Sequence, residues 1–348
     1  MIRKKQNIVF KGGVNLFDAY KIRFCNIVEE ISSDNPPEVF YFTLPSEQSV
    51  KHIIVTLCPT EPWALPNWVT LGHKTTVFLD KIKELQSTLF PEAKCSVVIS
   101  NNETEHISAA KEYAAMNEWL EVFVINAKYP YDDPVVLSKA ILNKDINFGQ
   151  DTLSQGILVF DAQTALAIHK SRILNKSVNS RFIALSGTGL KENEFIKVQL
   201  GTTLEKILKN RVKETAPYRV FINGPLRGRE IKDFAQKIDW TVNDIVVLAA
   251  QDKKVMFPMI NTDRLHFTTN LLGELRACVY CNFCDDICPV NLEPALYYHC
   301  YNKGEKQKVR SYDLEKCIEC GLCSFACPSK IELLRIIKEC KLPDEQKS

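Results

Sequence analysis

The sequence predicts an α/β protein with a parallel-sheet domain, then a small mixed β domain, then a helical segment built around cysteines. Three observations predict it. Between residues 51 and 180, short β-branched runs alternate with stretches of helical spacing, the pattern of βαβ units. Between residues 181 and 255, strand-like runs crowd together around Gly187, Gly189, Gly201, Gly224 and Gly228. Of the 13 cysteines, ten lie between Cys278 and Cys340.

Residues 1–50 form an N-terminal extension without a clear period, broken by the loop signal Ser32-Ser33-Asp34-Asn35-Pro36-Pro37. His52-Ile53-Ile54-Val55-Thr56-Leu57 has the near-continuous apolar run of a strand buried on both faces. Helical spacing follows over 72–88 through Val77, Leu79, Ile82 and Leu85. Strands are expected at 95–99, 121–125 and 156–160, and helices at Thr104–Trp119, Pro134–Leu142 and 161–174. The second domain should hold strands at 181–186, 194–199, 218–223 and 244–249 and one helix, Thr203–Arg211. Residues 256–277 read as a connector, and 278–340 as the cysteine domain.

With 348 residues and 45% hydrophobic and 25% charged side chains, the chain is long and apolar enough for several packed domains. A formal net charge of +2 argues against nucleic acid as a partner. No apolar run approaches the ~18 residues of a membrane span. The basic start, Met1 to Asn7, is not followed by the apolar stretch of a secretory signal. The expected location is the cytoplasm, where a dense group of cysteines means metal binding rather than disulfides.

The cysteines carry the chemistry. Cys278, Cys281, Cys284 and Cys288 precede Pro289; Cys317, Cys320, Cys323 and Cys327 precede Pro328. Each set is C-x₂-C-x₂-C-x₃-C-P, the run of two-cluster bacterial ferredoxins. Three thiolates at two-residue gaps wrap one face of a cubane, and the fourth, beyond a short turn, points to the other cluster. The expected ligands are Cys278, Cys281, Cys284 and Cys327 for one 4Fe–4S cluster, and Cys317, Cys320, Cys323 and Cys288 for the second. Zinc also uses paired C-x₂-C motifs, but it does not need a third step and a C-P ending, twice over. Cys300 and Cys340 match neither motif and read as incidental buried thiols.

Further segments carry a family resemblance. Phe10-Lys11-Gly12-Gly13-Val14, Lys128-Tyr129-Pro130, Leu137 to Leu142, Thr164 to Ile168, and Leu200-Gly201-Thr202-Thr203-Leu204 resemble the C subunit of the Rnf electron transport complex. Gly224-Pro225-Leu226-Arg227-Gly228 sits where that family has the glycine-rich turn of a β-grasp (SLBB) domain. Phe257-Pro258-Met259-Ile260 and Phe267 to Gly273 resemble the A subunit of the sodium-translocating NADH:quinone reductase, a related family. The α/β part is similar to the NADH-binding flavoprotein subunit of complex I. The resemblance implies a non-catalytic electron-transfer subunit, peripheral on the inner face of the cell membrane. Its partners would be the other subunits of a membrane redox complex and a soluble electron carrier or dehydrogenase. Two other readings stand beside it: a self-contained flavin/iron–sulfur reductase of the cobalamin-reductase kind, and a docking adaptor.

One departure from the family stands out. A glycine-rich loop that cradles flavin phosphate is expected after the first strand, but Cys58-Pro59-Thr60-Glu61-Pro62-Trp63 stands there. FMN and NADH are therefore not expected to bind. Glu61 with Trp63 reads as a solvent-facing loop, with a remnant of the family's nucleotide site as the alternative, and Arg227-Gly228-Arg229 as a solvated turn, with an anion-binding cluster as the alternative. His73, His106 and His169 have no ligand partner at useful spacing.

Overall fold

A computed structural model describes residues 27–34, 36–46, 49–59, 61, 64–72, 74–146, 151–213, 217–249 and 276–342. The segments around Phe10–Val14 and Phe257–Gly273, and also Trp63, His73 and Cys25, lie outside the described residues. In chain order the strands are β1 (Ile27–Ile31), β2 (His52–Leu57), β3 (Lys94–Ser100), β4 (Leu120–Ile125), β5 (Ile157–Asp161), β6 (Ser180–Ser186), β7 (Glu194–Gln199), β8 (Tyr218–Ile222), β9 (Arg229–Ile231) and β10 (Asp244–Ala249). The helices are α1 (Asn67–Leu71), α2 (Thr75–Leu89), α3 (Thr104–Ala115), α4 (Pro134–Leu142), α5 (Ala162–Ile168), α6 (Leu204–Leu208), α7 (Phe283–Asp286), α8 (Pro294–Asn302), α9 (Lys306–Arg310), α10 (Leu322–Ala326) and α11 (Leu333–Lys341).

The first sheet has strand order β4-β3-β2-β5, all parallel. β2 lies inside it and all six of its residues are buried, which explains its unbroken β-branched run. One face packs Ile53, Val55 and Leu57 against Phe78, Leu79, Ile82 and Leu85 of α2. The other packs Ile54 and Val98 against Val136 and Leu137 of α4. Each such side chain contributes about 1.5–3 kcal/mol by leaving water. Helix α4 begins at Pro134, with Asp133 accepting the Val135 N–H at 2.9 Å, and ends on left-handed Asn143. Helix α3 stops at Ala115, short of the expected Trp119, because the Asn117 side chain donates to the Tyr113 carbonyl and the chain turns into β4. After α5 the helix continues as a wider turn over His169–Ile173.

The second sheet is mixed, in the order β1-β7-β6-β10-β8-β9. Strand β1, from the stretch without a readable period, pairs parallel with β7. β9 is the second strand that the sequence did not announce; it closes a tight hairpin with β8. A side chain at Gly228 would place its Cβ 2.1 Å from the Ile222 carbonyl oxygen, so this turn requires glycine. Helices α7–α11 form a third, smaller core around Tyr297, Val309, Leu314, Ile336 and Ile337.

Candidate metal centre

The two cysteine loops have the same backbone shape. Tyr280 and Asn282 flank Cys281 with positive φ; Glu319 and Gly321 flank Cys320 in the same way. Three residues after the last cysteine of each run, Asn291 and Lys330 again have positive φ. Such alternation coils a short loop so that its side chains and N–H groups converge on one side, the geometry of an anion nest.

The eight thiols gather into two cavities. Cys278, Cys281, Cys284 and Cys327 line one, with Tyr298 and Pro328. Cys288, Cys317, Cys320 and Cys323 line the other, with Pro289 and Leu292. In each, three cysteines of one run meet the last cysteine of the other. Cys300 and Cys340 are buried in the same core and line neither cavity. The thiols ring a volume rather than a point: among the described residues, no three His, Cys, Asp or Glu side chains are placed to hold a single metal ion. Burial pushes the Cys284 thiol up to about 12 and Cys317 to about 11, and Cys320 and Cys323 higher still. Thiols so placed ionise only when a cationic centre sits among them. Four thiols around an apolar box, with a proline closing each turn, fit an iron–sulfur cubane.

The second cavity rests on the α/β sheet. Ile318, between two of its cysteines, packs with the cluster of Ile54, Val98, Tyr131 and Leu137. The Tyr129 hydroxyl donates to the Cys320 carbonyl at 2.6 Å. Behind Tyr129, its ring centroid 5.6 Å away, lies the Arg227 guanidinium. Arg227 Nε is 2.6 Å from Glu61 Oε1, another of its nitrogens contacts Asp132, and Asp133 is 3.9 Å away.

This network corrects two expectations. The Glu61 loop is not solvent-facing: Glu61 is only 7% exposed. Arg227 is not on a solvated turn; its side chain is mostly buried among carboxylates. The physical reason is pairing between distant parts of the chain, which lets charges enter the interior that would otherwise stay in water. Gly224 makes room, since a Cβ there would sit 2.5 Å from Glu61 Oε2. Glu61 Oε1 lies close to Arg227 Nε, but neither Glu61 oxygen has a well-aligned hydrogen bond. Burial raises Glu61 to about 8, with Arg227 pulling the other way. Burial raises Asp244, which accepts the Gly224 N–H at 2.7 Å, to about 7, and Asp133 to about 6.

Beside the network, at the C-terminal ends of β2 and β5, opens a cleft of about 670 Å³ lined by Thr56, Glu61, Asp161, Arg181, Asn243 and Asp244 among others. Ligands of open α/β sheets bind at this edge. His106 bonds Thr75 at 2.7 Å and His169 bonds Glu84 at 2.7 Å; both are structural.

A parallel α/β sheet bearing a paired four-cysteine unit on its C-terminal edge defines an iron–sulfur protein. The family described as 4Fe-4S dicluster domain matches residues 277–331. The chain is a homologue of proteins named as the C subunit of the ion-translocating oxidoreductase complex. It is 26% identical over 250 residues to that of Buchnera aphidicola, covering 71% of this chain and 47% of the relative. It is 28% identical over 295 residues to that of Haemophilus influenzae, covering 84% and 43%. The chain thus spans less than half the length of these relatives. In fold it is similar to a chain of an NAD+-reducing [NiFe]-hydrogenase, with a TM-score of 0.52 and 12% identity over 82% of this chain and 56% of that one.

Proposed function

We propose that the protein is an electron-transfer subunit of a membrane-associated Rnf- or Nqr-like oxidoreductase complex. It relays electrons through two 4Fe–4S clusters between a soluble carrier or dehydrogenase and the membrane subunits. The observation that carries this reading is the pair of four-cysteine cavities in one small helical unit. Cys278, Cys281, Cys284 and Cys327 hold one cluster; Cys317, Cys320, Cys323 and Cys288 hold the other. When bound, such clusters accept and release single electrons. The apolar side chains around them, Leu292 and Ile337 at the second site and Ile331 and Leu333 at the first, keep water from the sulfur atoms. The crossed pattern keeps the two sites in one rigid core. The names of the relatives support a complex that acts at a membrane. None of the helices among the described residues is long and apolar enough to cross one. A peripheral seat on the cytoplasmic face of the membrane follows as part of this proposal. The division of labour is an α/β domain to about residue 180, an SLBB-like β domain to about 255, and the cluster domain from 278.

Purified without oxygen, the protein should be brown and contain about eight iron atoms per chain, two cubanes' worth. Iron and sulfide analysis with EPR of the reduced form checks this; four irons, or zinc in their place, would sink the reading.

The second part of the proposal is that the cleft does not hold FMN or NADH. A phosphate brought into it needs several N–H donors. The segment after β2 contains Pro59, Pro62 and Pro66, which have no N–H, and no glycine before Gly72. The cleft also presents Glu61, Asp132, Asp161 and Asp244, and of its arginines Arg227 is engaged by Glu61 and Asp132 and Arg181 by the Trp240 carbonyl and Asn243, which leaves Arg229. Fluorescence titration with FMN should show no micromolar binding, and NADH should not reduce an artificial acceptor through the isolated chain. Saturable micromolar binding would favour the flavoenzyme reading.

A further inference from the structure

We propose that the two sites differ in their affinity for the electron. The site of Cys288, Cys317, Cys320 and Cys323 is the stronger acceptor, and Lys341 and Asp285 are positioning residues that set the difference. This rests on the cluster reading above and adds a direction to it.

An added electron makes a cubane and its four thiolates more negative. Groups that donate hydrogen bonds to the sulfurs or bring positive charge therefore raise the potential, and nearby carboxylates lower it. The two sites differ in each respect. At the inner site, against the α/β sheet, the Leu292 N–H donates to Cys288 Sγ at 3.3 Å and the Glu319 N–H to Cys317 Sγ at 3.4 Å. Lys341 Nζ donates to the Cys317 carbonyl at 2.8 Å and the Tyr129 hydroxyl to the Cys320 carbonyl. Lys341 and Lys338 share the single carboxylate of Glu319, at 2.9 and 3.8 Å, which leaves an excess of positive charge on that loop.

At the outer site the sign is reversed. Cys284 Sγ lies 3.6 Å from Asp285 Oδ1, and Asp286 follows in the chain. Asp285 accepts the Ala295 N–H at 3.0 Å, which fixes it in place, and has no ion pair among the described residues. Among the described residues, no sulfur of this site accepts a backbone N–H from another residue. Burial disfavours added negative charge and acts more strongly at the inner site. Cys288, Cys320 and Cys323 are buried at the inner site and only Cys327 at the outer, so shielding works against this order, and the N–H donors and Lys341 at the inner site outweigh it.

Transfer between the sites moves one electron. The outer site is oxidised by one unit and the inner site reduced by one, with no bond made or broken. The geometry points to an electron that enters at the outer loop and comes to rest beside the α/β sheet. The outer loop is the accessible one: Val279, Tyr280 and Phe283 between its cysteines are 64%, 70% and 56% exposed.

The test is an anaerobic potentiometric titration of the iron-loaded protein with dithionite, followed by EPR. Cys281→Ser identifies the outer signal as the one it alters. The inner site should be reduced first. Lys341→Met should lower the inner midpoint and leave the outer unchanged. Asp285→Asn, which keeps the oxygen that accepts the Ala295 N–H, should raise the outer midpoint more than the inner, because Asp285 acts on Cys284 and, less strongly, on Cys288. Reduction of the outer site first, equal midpoints, or variants that move neither site or shift both equally would overturn the proposal. Iron content is measured on the same samples. A wild-type chain without two clusters refutes the cluster reading itself, while a fully loaded chain with inverted midpoints refutes only this inference.

Discussion

Cys288→Ser is expected to remove the cluster from Cys317, Cys320 and Cys323, the far motif, and to leave its sequence neighbours Cys278, Cys281 and Cys284 loaded. Cys288 lines the second cavity, turned there by the bend at Pro289, and its sulfur accepts the Leu292 N–H. A serine hydroxyl ionises far less readily than a thiol and binds iron less well, so that site loses a corner. About half the iron should be lost, together with one of the two EPR signals. Cys300→Ser is the control. Cys300 is 6% exposed in the same core but lines neither cavity, so both clusters should stay. The ligand assignment fails if Cys300→Ser removes a cluster while Cys288→Ser does not.

Arg227→Met should be strongly destabilising. It leaves Asp132, and at higher pH Glu61, Asp133 and Asp244, without their cation in a closed space. Breaking one side of a buried pair costs about 3–5 kcal/mol, and the lower end applies here because the side chain keeps some contact with water. The loss should depend on pH. Glu61 binds its proton more tightly folded, at about 8, than at its ordinary value of 4.5. Asp244 does the same, at about 7 against 3.8. The folded state therefore holds more protons between these limits, and the stability these groups contribute is full in acid and lost as pH rises through 7 to 8. Thermal unfolding of the loaded protein from pH 5.5 to 8.5 should show a falling midpoint. The fall should be steeper in Arg227→Met and flatter in Glu61→Gln, where no charge can form. A pH-independent penalty, or one below about 1 kcal/mol, would show that the network is a surface feature in energetic terms.

How far the sequence speaks differs from element to element. Strand β2 and helix α2 are legible because a core imposes its period directly: Ile53, Val55 and Leu57 must all be apolar, and so must Phe78, Leu79 and Ile82. Even there, Val77 fits the helical spacing and is nonetheless 46% exposed. The cysteine spacing names eight thiols, because ligation fixes side-chain positions within one loop. Glu61 and Arg227 are illegible for the opposite reason. Each alone looks like a surface charge, and only the tertiary contact between them reveals that both are interior. Strand β1 is hidden in the same way, since its partner lies far along the chain. Of the polar groups that distinguish the two cavities, Asp285 stands in the first run itself, between Cys284 and Cys288, whereas Lys341 reaches the second loop only through folding.

The pairing of β1 with β7 has a consequence for how the chain comes off the ribosome. Ile27 pairs with Phe195, and between them lies the whole four-stranded parallel sheet. The α/β unit can close on its own contacts as soon as β5 and α5 emerge. β1, made earlier, must wait for a partner synthesised much later, and its docking needs a long loop to close, though that entropic cost grows only slowly with length. An apolar strand left waiting is a hazard for pairing with another chain. The sequence of β1, Ile-Val-Glu-Glu-Ile, places two like charges on it, which repel another copy of itself. Lys197, 167 residues away, pairs with Glu30 at 2.6 Å once β7 is in place. Glutamates in that strand oppose its pairing with another copy, and in the folded chain Lys197 offsets the charge of Glu30.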